Sequence, residues 1–261
     1  MSKKQSTATQ QAKAQSAAQR AAAVRHEQDT RERRRRTVVV GAIVLGVIAL
    51  LVAVAVAVQA SRDTTGTAAT PPTGAVDTYG IPLGAAEAPV TIEIYEDFMC
   101  PFCGQFETAS GDIVKEYAES GEAQVQYKVI AFLDSASDGS DYSTRATNAV
   151  AVVLEEAGSE AAIEMHDLLF ANQPAEGTKG LDDQQLIDLA VEAGASEDDV
   201  AAPITDLRFE QWVKNATDDF SKQGHTSTPT VIVDGEQVDF ETIDELLAEM
   251  EQAVDSALSE Q

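Results

Sequence analysis

Cys100 and Cys103 are the only two cysteines in a chain of 261 residues, and they lie where a strand pattern meets a helix pattern. Residues 90–98 are rich in β-branched residues with alternating apolar side chains, which predicts a strand. Pro101 suits the first position of a helix, and apolar residues at helical spacing continue to Gly121. The sequence therefore predicts a strand that runs directly into a helix, with both cysteines at the junction.

The segments after this junction predict an α/β domain with a helical insertion. Residues 124–132 form a second strand pattern, and residues 143–223 carry apolar side chains at helical spacing in four segments. Asp234 and Gly235 separate two short strand patterns, which is a strong hairpin signal. An amphipathic helix pattern over residues 241–258 follows. Strand, helix, strand, helices, hairpin and helix, in that order, are typical of an α/β fold.

Three roles are open to the cysteine pair: metal binding, a structural crosslink or redox chemistry. A zinc site normally takes four ligands, and the second half of such a site is missing. His26 precedes the apolar run, on the side predicted below to be cytoplasmic, and His166 and His225 lack ligand-type spacing. A disulfide that closes so short a loop removes little entropy from the unfolded chain. We therefore interpret the pair as a redox couple and predict no metal.

The position of Cys100 before a helix supplies the chemistry for a redox role. Unpaired N–H groups and the helix dipole favour a negative charge at a helix N-terminus, which lowers the pKa of a thiol placed there. Cys103 lies three residues later on the same helical face, so that its sulfur can reach Cys100. One sulfur would attack a partner and the other would resolve the intermediate.

Thr228 and Pro229 precede the first strand pattern of the hairpin. The bond before proline is the one peptide bond in which the cis form costs little. A proline just ahead of a central strand is also awkward unless it forms a special turn. An ordinary loop proline explains this segment equally well, and the residues alone leave both interpretations open.

Three stretches resemble the DsbA-like branch of the thioredoxin superfamily: YEDF (95–98), CPFCGQFE (100–107) and GHTSTPTVIVDG (224–235). The resemblance extends from about Ile81 to the C-terminus. CxxC after a strand, then a helical insertion, then Thr-Pro before a strand is a specific combination. It implies a thioredoxin-like α/β fold with a helical insertion, and thiol–disulfide exchange on exported polypeptides through a mixed disulfide.

The resemblance also implies the roles of individual residues. Cys100 would be the exposed nucleophile and Cys103 the buried resolving thiol. The redox-active disulfide between them would serve without a bound cofactor. Thr228-Pro229 would be a cis bond packed against that disulfide, and the Thr228 backbone would pair with an extended substrate segment, as in strand addition.

Two positions depart from the family pattern. Members often carry an acidic residue six positions before the first cysteine, where it moves the proton of the resolving thiol, but Ile94 stands there. Glu93 lies on the opposite strand face, and our hypothesis is that Glu96 takes the role through water; the alternative is slower proton transfer. Phe102 stands in place of the histidine of a Pro-His dipeptide, and because it adds neither a donor nor a positive charge, we expect a less oxidising couple.

Three further residues receive a structural interpretation. His225 lies four residues before Pro229 and could approach the site, but we expect a surface loop histidine. His166, within a helical segment, and Trp212, on an apolar face, are expected in the core or half-buried.

The N-terminal part of the chain predicts a membrane anchor. Residues 38–58 form an uncharged run of 21 residues, which as a helix would cover about 31 Å, enough for the hydrocarbon core of a bilayer. The arginine-rich residues 31–36 before it predict a cytoplasmic N-terminus. A cleaved signal peptide is the alternative, since residues 58–60 resemble a cleavage site, but signal sequences have a shorter apolar run of ~7–15 residues.

Four parts are therefore predicted: a cytoplasmic basic leader (1–37), a transmembrane anchor (38–58), a linker (59–78) and a DsbA-like thioredoxin-fold domain (79–261) with a helical insertion at about 143–223. The catalytic domain would lie outside a cell membrane that the chain crosses once.

The charge of the chain is divided unevenly between these parts. Residues 1–36 hold ten of the 18 Lys and Arg residues but only three of the 44 Asp and Glu residues, which leaves the remainder strongly acidic. An acidic domain repels nucleic acid, so that we predict no nucleic-acid partner. We interpret the negative charge as a solvated surface; a docking face for cationic partners is the alternative.

The leading functional prediction is an enzyme that oxidises cysteine pairs in exported proteins and is reoxidised by a redox partner in the membrane. A reductase or isomerase of exported thiols, for example of cytochrome apoprotein, is the first alternative. A redox-inert peptide-binding or chaperone module is the second, and the intact cysteine pair counts against it.

Overall fold

The computed structural model describes residues 46–48, 50 and 68–259 of the chain. The chain divides into two units, Met1–Arg62 and Asp63–Gln261. The predicted leader and most of the predicted anchor lie outside the described residues; residues 46–48 and 50 of the anchor are helical. Of the helices within the described part, none combines the length and apolar character needed to cross a membrane.

Five strands of the described residues form one mixed sheet. Their order across the sheet is β1, β3, β2, β4, β5, with β2 and β3 parallel and the other neighbours antiparallel. The strands are β1 (Ile81–Leu83), β2 (Val90–Glu96), β3 (Ala123–Val129), β4 (Thr230–Val233) and β5 (Glu236–Gln237). The predicted second strand, residues 124–132, is shorter than expected because the chain leaves the sheet after Val129.

Seven α-helices follow one another in residues 68–259, with a short 3₁₀ turn at Asp134–Ala136. The four predicted helical segments of the insertion are confirmed as helices, and α5 was not predicted separately because it is short and contains Pro203. The helices are α1 (Pro101–Ser120), α2 (Tyr142–Ala157), α3 (Ser159–Ala171), α4 (Asp183–Glu192), α5 (Glu197–Thr205), α6 (Glu210–Lys222) and α7 (Ile243–Ser259).

Two local predictions of chain direction are confirmed. Helix α1 ends where Gly121 adopts a left-handed conformation with φ 77°, which glycine reaches without strain. Asp234 and Gly235, both with positive φ, connect the antiparallel strands β4 and β5. These turns fix the start of β3 and the register of the hairpin.

Side chains of β2 alternate between two apolar layers. Ile92 and Ile94 belong to the main core, to which α1 contributes Val114. Tyr95 faces the other side and packs on Phe220 of α6, with ring centroids 5.3 Å apart. Since side chains alternate along a strand, Glu96 at the end of β2 returns to the face of Ile94.

Asp97 holds together the loops that meet next to the cysteine pair. Its buried carboxylate accepts hydrogen bonds from the Met99 N–H at 2.8 Å, the Leu133 N–H at 2.7 Å and the Ser143 hydroxyl at 2.7 Å. The backbone carbonyl of Asp97 accepts a further bond from the Cys100 N–H at 2.9 Å. Burial raises the pKa of the Asp97 carboxyl to about 6, while the three donors oppose that rise.

Replacement of this carboxylate should destabilise the domain. Asp97→Ala leaves three donors, two of them backbone N–H groups, without an acceptor, and we expect the free energy of unfolding to fall by about 2–4 kcal/mol. Urea unfolding followed by circular dichroism measures the change. Asp112→Ala, at an exposed position of α1, is the control and should change stability little. Equal stability of the two variants would show that Asp97 does not hold these loops together.

Candidate active site

Cys100 is the N-cap residue of α1, directly before Pro101 at the first helical position. Its backbone is extended, with φ −74° and ψ 115°, and its carbonyl accepts the first helical hydrogen bond from the Gly104 N–H at 3.2 Å. Only 5% of Cys100 is exposed, whereas the neighbouring Phe102 is 60% exposed. Sequence and structure agree on the junction that places the first sulfur at a helix N-terminus, but the expectation of an exposed nucleophile is wrong, because Cys100 is buried against the segment before β4.

The second part of the site comes from the segment before β4. The Thr228-Pro229 peptide bond is cis, as the resemblance implied. The Cys100 thiol donates a hydrogen bond to the Thr228 carbonyl, with 3.4 Å between sulfur and oxygen. Pairing of β4 with β2, in which Thr230 lies opposite Tyr95, brings this segment to the cysteines.

Gln173 and Gly104 fix the start of α1 from the side of the helical insertion. The Gln173 amide donates hydrogen bonds to the carbonyls of Phe98 at 3.2 Å and Cys100 at 2.9 Å. A Cβ at position 104 would lie 2.3 Å from the Gln173 side-chain oxygen, so that only glycine leaves room for this contact. Gln173 thus positions the backbone of the first cysteine.

The two thiols have opposite acidities. The pKa of Cys100 is lowered to about 6, and the hydrogen bond from the Cys103 thiol is the largest cause. Burial opposes this decrease. The Thr228 side chain and the N–H groups of Phe102 and Cys103 lower the pKa further by smaller amounts. Burial is the main cause that raises the pKa of Cys103, and its bond to Cys100 and the charge of Glu96 add to the rise. Near neutral pH, Cys100 is therefore mainly a thiolate and Cys103 a thiol.

The absorbance of the thiolate at 240 nm tests this asymmetry. We expect the reduced protein to titrate one thiol with a midpoint near pH 6 and no second thiol below about pH 9. Cys103→Ala removes the largest stabilising contact and should move the Cys100 midpoint upward. Cys100→Ser should remove the low-pH transition altogether. A midpoint that stays near pH 6 in Cys103→Ala would contradict the assigned cause.

Beneath the cysteine pair, Glu96 and His166 form a buried contact. The Glu96 Oε2 atom lies 3.0 Å from His166 Nε2, and both side chains are fully buried. Burial is the largest cause that raises the pKa of Glu96, and the charges of Cys100 and Asp167 add to the rise. The charge of Glu96 contributes to the raised pKa of Cys103, and the hypothesis that Glu96 moves the proton of that thiol through water stays a prediction.

A second carboxyl group joins this contact from α1. Glu107 lies one helical turn after Cys103, and burial and the charge of Glu96 raise the pKa of its carboxyl group. The Oε1 atoms of both glutamates are buried and lack a hydrogen-bond partner among the described residues. Two buried carboxyl groups in contact favour one shared proton, because two adjacent negative charges repel each other.

Glu96, Glu107 and His166 are also the described residues with the geometry to hold a metal ion. Each offers one ligand atom, and these atoms lie within 4.8 Å of one another. Carboxylate oxygens and an imidazole nitrogen suit several divalent cations. The same atoms can hold and transfer protons, and the expectation of no metal stays a prediction.

The remaining residues considered from the sequence contact residues other than the two cysteines. Glu93 faces the opposite side of the sheet and forms an ion pair with Lys128. His225 is half-buried, packs on Tyr95 with ring centroids 5.5 Å apart and hydrogen-bonds Gln237. Trp212 is buried and donates a hydrogen bond to the Thr78 carbonyl at 2.7 Å, which confirms its place in the core.

Sequence reasoning missed two members of the buried cluster. Glu107 appeared only as part of the resembling stretch, and His166 was correctly expected in the core but was given no partner. The signal available in the sequence was spacing: Glu107 lies four residues after Cys103, on the same face of α1. Nothing in the local pattern around His166 indicates that α3 brings it to the end of β2.

A surface groove of about 510 Å³ lies beside the cysteine pair. Phe102, Phe240 and Ile243 supply apolar lining, and Thr228 lies in the same wall. Glu241 and Asp244 add carboxylates, and the lining contains no Lys or Arg. The groove therefore offers a backbone edge, an apolar surface and negative charge to a bound chain.

The family model described as Thioredoxin matches residues 77–252. Three solved structures of similar fold come from disulfide enzymes, and each covers most of the domain. DsbA from Mycobacterium tuberculosis (reduced) is 28% identical over 70% of this chain and 98% of its own, with a TM-score of 0.57. DsbG from the same organism is 29% identical over 76% of this chain and 98% of its own, with a TM-score of 0.58. MdbA, a thiol-disulfide oxidoreductase from Corynebacterium diphtheriae, is 27% identical over 71% of this chain and 95% of its own, with a TM-score of 0.59.

Two curated relatives match shorter stretches. The serine/threonine-protein kinase PknE of M. tuberculosis is 30% identical over 119 residues, 44% of this chain and 21% of the kinase. The Na(+)/H(+) antiporter NhaA 3 of Salinispora tropica is 39% identical over 90 residues, 34% of this chain and 12% of the antiporter. The chain thus spans about a fifth or less of these curated relatives.

The mixed sheet, the cysteine pair at the start of α1 and the cis-proline before β4 define a thioredoxin-like redox domain. The chain belongs to the thioredoxin superfamily, among its DsbA-like thiol–disulfide oxidoreductases.

Proposed function

We propose that the protein is an extracytoplasmic oxidase that transfers its Cys100–Cys103 disulfide to cysteine pairs of exported proteins. The observation that carries this proposal is the opposite acidity of the two thiols. A low pKa of Cys100 stabilises the reduced enzyme relative to the disulfide, and a disulfide whose reduced form is stabilised is an oxidant. The expectation that Phe102 makes the couple less oxidising than a Pro-His pair stays a prediction for a redox titration against glutathione.

The exchange proceeds in two displacements. A client thiolate attacks the Cys100 sulfur, and the bond between Cys100 and Cys103 breaks with its electron pair on Cys103. Because the pKa of Cys103 is raised, this sulfur takes up a proton. The second client thiolate then attacks the client sulfur of the mixed disulfide and releases Cys100 as a stable thiolate, so that the client is oxidised and the enzyme reduced.

The groove beside Cys100 is the proposed docking place for the client. Thr228 presents its backbone next to the reactive sulfur, which suits an extended client segment that pairs with it as an added strand. Phe102, Phe240 and Ile243 offer apolar surface for client side chains, and Glu241 and Asp244 favour cationic ones. This arrangement accepts many sequences, since backbone hydrogen bonds carry no side-chain identity.

Glu96 is the proposed proton partner of Cys103. Burial raises the pKa of its carboxyl group, which favours the protonated form, and a protonated Glu96 can give its proton to the departing Cys103 thiolate, directly or through water. Glu96→Gln should therefore slow exchange and alter its pH dependence. Unchanged exchange rates and an unchanged pH profile would remove Glu96 from the mechanism.

Membrane attachment and reoxidation complete the proposal. Residues 38–58 would anchor the chain in a cell membrane with residues 1–37 in the cytoplasm and the catalytic domain outside. The uncharged run and the arginines before it support this arrangement. A membrane redox protein would then restore the disulfide between Cys100 and Cys103 after each turnover.

Refolding of reduced ribonuclease tests the oxidase activity. We expect the oxidised full-length protein to accelerate the recovery of ribonuclease activity, with Cys100→Ser at the background rate because the attacked sulfur is lost. An isomerase would instead be most active on scrambled ribonuclease. If wild type and Cys100→Ser both refold ribonuclease only at the background rate, the oxidase proposal is wrong and the redox-inert binding module is the remaining alternative.

A trapping experiment assigns the two sulfurs. Cys103→Ser should accumulate mixed disulfides with exported proteins because the resolving sulfur is absent, whereas Cys100→Ser should accumulate none. Non-reducing electrophoresis of the tagged full-length protein shows the adducts. Adducts on Cys100→Ser, or equal adducts on both variants, would reverse or remove the assigned roles.

A further inference from the structure

A chain of polar contacts leads from Glu96, whose charge raises the pKa of Cys103, to the protein surface on the side of α3. Glu96 contacts His166 Nε2 at 3.0 Å, and His166 Nδ1 lies 3.3 Å from Asp167 Oδ1. The other carboxylate oxygen of Asp167 accepts a hydrogen bond from Lys115. Glu96 and His166 are fully buried, but the side chain of Asp167 is 30% exposed. The chain of contacts is therefore continuous from the buried carboxyl to solvent.

The two ring nitrogens of His166 connect Glu96 to Asp167, while aromatic side chains surround the rest of the ring. Its ring packs against Tyr127 with centroids 4.2 Å apart, and against Phe98 and Phe170 at 5.7 and 5.0 Å. Titratable and charged groups surround this ring on four elements. They are Glu96 on β2, Glu107 and Lys115 on α1, Tyr127 on β3 and Asp167 on α3, with the cysteine pair on the far side of Glu96. Lys115 acts on the ring through Asp167. Aromatic side chains exclude water from the ring faces.

The outer end of this chain lies apart from the client groove. Asp167 and Lys115 line a surface depression of about 330 Å³ together with Glu164, whereas the groove is lined by Phe102, Thr228 and the start of α7. The two linings share no residue. A client on Cys100 would cover the groove and leave the depression open.

We propose that His166 and Asp167 conduct the proton that Cys103 takes up and releases during disulfide exchange, along a route separate from the client groove. The inference rests on exchange at the Cys100–Cys103 pair, as in the proposed function, but not on the direction of that exchange.

The proton balance follows the two directions of the reaction. When the Cys100–Cys103 bond breaks, the Cys103 thiolate takes a proton from the Glu96 carboxyl. Glu96 then regains one from His166 Nε2, while His166 Nδ1 takes one from the Asp167 side, where the carboxylate is in contact with water. When the disulfide forms again, the Cys103 thiol gives its proton to Glu96, and the same contacts return it to solvent.

Histidine suits the middle position because each ring nitrogen can give or accept a proton. Asp167 suits the outer position because hydrogen bonds from His166 and Lys115 lower its pKa against the effect of burial, so that it returns any proton to water at once. The hydrogen bond from Glu107 lowers the pKa of Glu96 against the effect of burial, and the contact with Glu96 raises the pKa of Glu107, so that the two carboxyl groups share a proton next to Cys103. A direct exit through the groove would fail whenever a client is bound.

The test measures how fast glutathione reduces the oxidised full-length protein. The rate is followed by quenched flow with acid trapping, in H₂O and in D₂O, with a chelator present. His166→Gln keeps a polar side chain in the core but cannot pass a proton, and we expect a loss of about tenfold in rate at pH 7. The solvent isotope effect should increase and the pH profile should shift. Asp167→Asn should change all three readouts in the same direction by less.

Two controls separate proton transfer from a structural effect. Glu192→Gln, at an exposed position of α4 that lines neither the depression nor the groove, should match wild type in every readout. The Cys100 midpoint near pH 6 should be unchanged in His166→Gln and Asp167→Asn, because neither residue stabilises that thiolate. If His166→Gln does not fold, Asp167→Asn, at a partly exposed site, carries the test.

Wild-type rates, isotope effects and pH profiles in the folded variants would overturn the route. A wild-type enzyme that behaves like His166→Gln only after chelator treatment would also overturn it and would assign the cluster to a metal. The outcome is independent of the ribonuclease assay: glutathione reduces the disulfide of an oxidase and of a reductase alike, so that failure of the oxidase proposal leaves this measurement valid.

Discussion

Pairing of β4 with β2 is the constraint on which the site depends. Cys100 and Thr228 are 128 positions apart, and the antiparallel pairing places the Thr228 carbonyl 3.4 Å from the Cys100 sulfur. The parallel pairing of β2 with β3 sets the direction of α1, whose N-terminus then lies at the same edge of the sheet. Cys100 would not meet the Thr228 backbone without these pairings, however favourable its local helix geometry.

Burial then makes the two sulfurs unequal. Cys100 at the helix start is stabilised as a thiolate by the Cys103 thiol and nearby donors, while Cys103 and the carboxyl groups of Glu96 and Glu107 lie in the interior, where charge is costly. The site therefore favours negative charge on the Cys100 sulfur and disfavours it on Cys103 and the two carboxyl groups. This difference in acidity suits a redox couple in which the Cys100 sulfur is the reactive one and Cys103 stays a thiol.

Local rules predicted the parts of the fold that depend on neighbouring residues. Pro101 and Gly121 mark the ends of α1, and Asp234 with Gly235 marks the hairpin, because each reflects a backbone preference of a few residues. β1 was missed because a three-residue strand that contains a proline carries no periodic signal. The membrane anchor and the linker before residue 68 remain predictions from the sequence.

The site was predictable to the same extent. The CxxC pair and Thr228-Pro229 are recognisable in sequence order, and Glu96 was singled out as the hypothetical proton partner of Cys103. The contact of Glu96 with His166 and Glu107 could not be predicted, because it needs β2, α1 and α3 to meet at one point. Long-range packing of this kind leaves no spacing pattern in the chain.

The difference in stability between the reduced and oxidised protein, measured by urea unfolding from pH 5.5 to 9, tests the central claim most directly. Cys100 has a folded pKa of about 6 against an ordinary value of 9.0, so that the stability which its thiolate contributes to the reduced form is lost as pH falls from 9 through 6. The oxidised form has no thiol to titrate, and the other groups largely cancel in the comparison. We predict that the stability of the reduced form relative to the oxidised form increases as pH rises across this window. A difference that is flat with pH would contradict a stabilised Cys100 thiolate and, with it, the account of the site.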